Sequence, residues 1–117
     1  PSMVSLGHEL CELEDSIQAA VSALDRFEDP QHTPLSPSRR VTWEVKEQWL
    51  QEALGLVKES RDRYDYVRGA LKGLSASERE PWMDSTRACH EALKQLVARA
   101  KDVRAELETE KQAMVNR

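Results

Sequence analysis

The stretch from 42 to 74, TWEVKEQWLQEALGLVKESRDRYDYVRGALKGL, constrains this chain most. Trp43, Leu50, Ala53, Val57, Tyr64, Val67, Leu71 and Leu74 follow one another at alternating spacings of three and four, interrupted only by Lys46 and Ser60. At 3.6 residues per turn this spacing lays a single apolar stripe along one face of a long helix. Such a helix cannot hide its own stripe, so it requires neighbours.

Two further segments supply them. Leu6, Leu10, Leu13, Ile17, Ala20, Leu24 and Phe27 form a first seam, and Trp82, Thr86, Cys89, Leu93, Leu96, Ala100, Val103 and Leu107 form a third, which Met114 extends in register. Ser5 can cap the first helix, and Asp29-Pro30 ends it because a residue before proline is pushed out of the helical region. The segment PQHTPLSPSRR holds three of the chain's 5 prolines and has no periodicity, which predicts a loop. Thr42 can cap the second helix, and Gly73 lies at its end. Ser77-Glu78-Arg79-Glu80 has the form of a capping box for the third, with Pro81 near its first turn.

These readings predict an all-α fold: one antiparallel up-down-up three-helix bundle with a long third helix, its helices at about 6–28, 42–73 and 78–114. The 117 residues suffice for one domain with a narrow core, here 5–117. Residues 1–4 are expected to be disordered, with Pro1-Ser2 resembling a tag scar. The charged end of the third helix, after about Leu107, is expected to project beyond the shorter first helix.

Composition narrows function. A formal charge of −4 argues against a nucleic-acid module, which needs a clustered excess of Lys and Arg. No apolar run approaches the roughly 20 residues that span a bilayer, so no membrane insertion is expected and the chain reads as soluble. Cys11 and Cys89 lie within helical patterns rather than at loop staples, which predicts a reducing, intracellular compartment. Adjacent Cys89, His90 and Glu91 point about 100° apart on a helix and do not form a metal site; Cys89 reads as a small core residue. With no phosphate loop, nucleophile motif or desolvated carboxylate pair, neither an enzyme nor a cofactor is expected.

Two sets of residues remain as site candidates. Trp49, Leu56 and Tyr66 lie beside the second seam, where they either widen the buried stripe or line an apolar groove for a partner helix. Thr33 and Ser36, each followed by proline and near Arg39 and Arg40, have the composition of phosphorylation sites; a plain proline-rich connector is the alternative.

The chain resembles the N-terminal three-helix domain of the syntaxin-6 family of SNARE proteins. The resemblance rests on Ile17-Gln18-Ala19-Ala20-Val21, a proline-containing loop, Trp43 opening a helix of about thirty residues, a short link, and Asp84-Ser85-Thr86-Arg87 in the third helix. It departs from the family in lacking an Asp-Pro-aromatic start and in carrying Pro81. It implies a regulatory module on the cytoplasmic face of endosome or Golgi membranes that binds tethering factors or SNARE helices. A spectrin-type repeat, serving as a spacer or scaffold in a cytoskeletal or signalling protein, is one alternative reading of the same helices. A coiled-coil dimer is another, although a monomer is expected.

Overall fold

A computed structural model describes residues 3–28 and 43–115, except for the side chains of Met3, Val4, Trp43 and Met114. Thr33, Ser36, the loop that carries them and the Thr42 cap lie outside the described residues. The fold is all-α: helix α1 runs Met3–Asp25, α2 Trp43–Lys72 and α3 Ala76–Val115, and each packs against the other two.

The seams read from sequence are the core. Leu6, Leu10, Leu13, Ile17, Ala20 and Leu24 of α1 meet Leu50, Ala53, Val57, Val67 and Leu71 of α2, and Cys89, Leu93, Leu96, Ala100, Val103 and Leu107 of α3. Phe27, Tyr64, Leu74 and Trp82 are half-buried against this cluster. The polar seam residue Ser60 is fully buried because its hydroxyl donates to the Leu56 carbonyl oxygen at 2.9 Å, one turn back. Thr86 does the same toward Trp82 at 2.7 Å. A buried hydroxyl satisfied in this way avoids the cost of an unpaired polar group.

Pairs across the interfaces fix direction and register. Glu12 lies 3.8 Å from Arg63, and Phe27 packs edge-on to Trp49 at 5.8 Å, so α1 and α2 are antiparallel. Lys46 meets Glu110 at 3.2 Å and Tyr64 meets His90 at 5.4 Å, so α2 and α3 are antiparallel too. Arg99 reaches Asp25 at 2.6 Å and Glu28 at 3.1 Å, which ties the end of α1 to the middle of α3. Ion pairs at the surface contribute only about 0–1 kcal/mol each, so these record the register more than they hold it.

The ends differ from the sequence expectation in detail. Helix α1 begins at Met3, so Ser5 is an interior residue rather than a cap, and residues 3–4 belong to the helix. The same helix stops at Asp25 and tightens through bonds from the Phe27 amide to the Leu24 carbonyl (3.1 Å) and from Glu28 to Asp25 (3.0 Å). At its own end α2 tightens likewise, through Gly73 to Ala70 (3.2 Å) and Leu74 to Leu71 (3.1 Å), and Gly73 does not enter the left-handed region. Helix α3 stays docked on α2 as far as Glu110, past the point where projection was expected, because Lys46 and Leu50 accompany it there after α1 has ended.

The capping box is two residues earlier than its sequence assignment. Ser75 caps α3: its backbone amide donates to Glu78 Oε1 at 3.1 Å, and the Glu78 amide donates to Ser75 Oγ at 3.3 Å. The serine hydroxyl also bonds Glu78 Oε1 at 2.8 Å. These bonds to Ser75 hold the Glu78 carboxyl below the ordinary carboxylate range. Ser75→Ala should therefore cost about 1 kcal/mol, while Ser77→Ala costs a few tenths at most. Because the folded carboxyl titrates below the unfolded one, its stabilisation is present above the ordinary carboxylate range and fades as pH falls through the folded value. Thermal melts from neutral to acidic pH should show this loss in the wild type and a weaker one in Ser75→Ala; equal slopes would reject the cap.

Gly55 and Gly69 sit in mid-α2 with nothing within 4 Å of where a Cβ would stand. Each glycine-to-alanine replacement should stabilise the fold by about 1 kcal/mol, measured by denaturant midpoint. A loss at either position would show that its surroundings are closer than described.

Candidate functional site

The three apolar candidates beside the second seam do not form one surface. Trp49 lies under α1: the Phe27 ring meets its plane edge-on at 82°, and the Arg26 guanidinium carbon stands 5.1 Å from its ring centroid. Arg26 is held there by Glu52 at 3.5 Å. Leu56 is half-buried against the core. Tyr66 alone is open, at 56% exposure. The cause is angular. Ten residues separate Leu56 from Tyr66, which turns the side chain roughly 80° around the helix and away from the Trp49–Leu56 line.

Tyr66 borders a surface groove of about 440 Å³ between α1 and α2, lined also by Glu9, Gly55, Lys58, Glu59, Asp62 and Arg63. Charged side chains make up most of this lining, and its cations are paired. Lys58 meets Asp62 at 3.2 Å, and Arg63 meets Glu59 at 3.2 Å and Glu12 at 3.8 Å.

The groove between α2 and α3 has a different composition. It encloses about 580 Å³, with Tyr64, Leu93, Val97 and Ala98 as its apolar lining and Arg61, Arg68, Lys94, Lys101 and His90 among its polar residues. The Tyr64 and His90 rings stack across it, 5.4 Å apart and inclined by 32°. Each wall repeats at seven residues, Arg61 and Arg68 on α2 and Lys94 and Lys101 on α3, a spacing of two helical turns that keeps both cations of a wall on one side. His90, which forms no metal site with its neighbours, is exposed on this groove. The signal in the sequence was a pair of basic stripes flanking the seams, and only the packing shows that the two stripes face each other.

Cys89 is buried, and Cys11 is exposed. Burial pushes the Cys89 thiol above its ordinary range, and Glu14 adds to the shift. The neutral thiol is thus favoured by the fold: its contribution is complete below the unfolded thiol's value and is lost as pH rises through the folded one. A thiol reagent at neutral pH should modify Cys11 promptly and Cys89 at least about a hundredfold more slowly, because reaching a core position needs local unfolding. Equal rates at the two cysteines would contradict the packing of α3.

Among the described residues, no group of three His, Cys, Asp or Glu side chains is placed to hold a metal ion, and no helix is long and apolar enough to cross a membrane. No family model matches the chain, and neither a curated protein nor a solved structure matches it.

Proposed function

We propose that the chain is a non-enzymatic protein-interaction domain that receives a helix of another protein in the groove between α2 and α3. The observation that supports this reading is the groove itself, an apolar strip of Tyr64, Leu93 and Val97 between charged walls. Amphipathic helices bind such surfaces by laying residues i, i+3, i+4 and i+7 into the strip. The face first suggested by Trp49, Leu56 and Tyr66 is the weaker candidate, since Trp49 and Leu56 are engaged by α1 and the core, and Tyr66 stands among ion pairs.

The segment order that resembles the syntaxin-6 family supplies the cellular setting: a regulatory domain of a SNARE-type protein in vesicle traffic at endosome or Golgi membranes, with tethering factors or SNARE helices as partners. A second reading, a spectrin-like spacer, is favoured by one observation. Helix α3 continues to Val115, well past Arg99, which faces the last residues of α1. A helix extended in this way can run into a following repeat.

The test is site-directed photo-crosslinking in the native cell, with the reactive group placed at Val97 in one variant and at Tyr66 in another. Cross-links from position 97 to one helical segment of a trafficking protein are the expected result. Cross-links to filament proteins would favour the spacer reading, and cross-links from position 66 alone would move the binding face to the α1–α2 side. Background labelling at both positions would remove the interaction reading.

A further inference from the structure

We infer that the occupant of the α2–α3 groove is an acidic amphipathic helix, a step that rests on the groove reading above and adds the partner's charge. The chain has a formal charge of −4, so a cation on its surface would ordinarily find a carboxylate nearby. In the α1–α2 groove Lys58 and Arg63 do. In the α2–α3 groove Arg61, Arg68 and Lys101 have none within 4.0 Å among the described residues. Lys94 has only Glu91 on its own helix at 3.7 Å, and Asp65 is the one carboxylate in the lining. Asp65 stands four residues from Arg61 and three from Arg68, yet pairs within 4.0 Å with neither. Cations without a carboxylate partner therefore line a groove that also carries an apolar strip.

The dimensions favour a helix over a compact anion. Tyr64 faces His90 and Lys46 faces Glu110, so Arg61 stands across from about position 94, and Arg68 from about position 87. The cations then extend over roughly 14 residues of α3, on the order of 20 Å at 1.5 Å per residue. A phosphate or a single headgroup would meet one or two of them. A helix of about four turns would meet all four, with Asp or Glu flanking an apolar stripe that covers Tyr64 and Val97. Placing carboxylates against cations that lack partners also steers the encounter and rejects basic helices.

The test uses the whole 117-residue chain and three synthetic helices that share one apolar stripe and carry flanks of Glu, Lys or Gln. Binding is followed by backbone amide shifts and by fluorescence anisotropy. The Glu-flanked helix should shift the amides around Tyr64, His90 and Val97. Its affinity should drop about tenfold in the double variant Arg61→Glu, Lys101→Glu, and should fall as salt is raised. Both residues are exposed, so the variant's helical signal and melting should match the wild type. Equal binding of all three helices in the groove would overturn the charge preference and leave the interaction reading standing. Failure of every helix to shift those amides would sink both. A short single-stranded oligonucleotide that displaces the Glu-flanked helix and binds more tightly would overturn the proposal in favour of a general polyanion site.

Discussion

Leu13→Ala is expected to destabilise the fold by about 3 kcal/mol and to lower the melting temperature by on the order of 10 °C or more. Leu13 is fully buried in the middle of α1, the shortest helix, between the seams of α2 and α3. Its removal takes away transfer free energy and leaves a cavity that the packed helices around it cannot fully close. A domain of this size has about 5–15 kcal/mol in total, so the loss is a large fraction of the whole. Gln18→Ala on the exposed face of the same helix is the control and should change stability by no more than about 0.5 kcal/mol. If the two variants melt together, Leu13 is not in the core.

The second large effect has the opposite sign. Pro81 is the sixth residue of α3, inside the helix rather than at its start, and it is exposed. The cap accounts for the earlier amides: Ser75 and Glu78 bond one another, and the Arg79 amide donates to the Ser75 carbonyl at 3.0 Å. Position 81 is where the regular i to i−4 ladder would next serve the Ser77 carbonyl, and proline has no amide to do so. An interior proline costs roughly 3 kcal/mol, while its stiffness in the unfolded chain returns up to about 1 kcal/mol. Pro81→Ala should therefore stabilise the protein by about 2 kcal/mol, read as a higher denaturant midpoint at unchanged slope. No gain, or a loss, would mean that Pro81 is needed to seat Trp82, whose ring lies 3.5 Å from where a Cβ on Gly7 would stand.

Much of this is legible in the sequence. Every residue assigned to a seam whose side chain is described is buried or half-buried, from Leu6 on α1 to Leu107 on α3; even Lys46 and Ser60, the two polar entries, lie on the inner face. Helical periodicity reports burial directly, which is why the fold class, the number of helices and their order could be read. Ends were harder. The box at Ser75-Ala76-Ser77-Glu78 and the pattern Ser77-Glu78-Arg79-Glu80 are the same motif two residues apart, and local sequence cannot choose between them. In the structure Ser75 is the cap and the helix begins at Ala76.

The candidate site was less legible, for a reason of symmetry. A three-helix bundle can turn with either hand while burying the same three seams. In one hand the flank of α2 that carries Trp49, Leu56 and Arg63 faces α1; in the other it would face α3. The sequence by itself determined the three seams, and with them the core and the all-α architecture, because those depend on periodicity within each helix. Only the tertiary structure decided the hand, which sets Trp49 against Phe27, Arg63 against Glu12 and Tyr64 against His90. That choice places the basic stripes of α2 and α3 on opposite walls of one groove, a relation between helices that no pattern within a single helix contains.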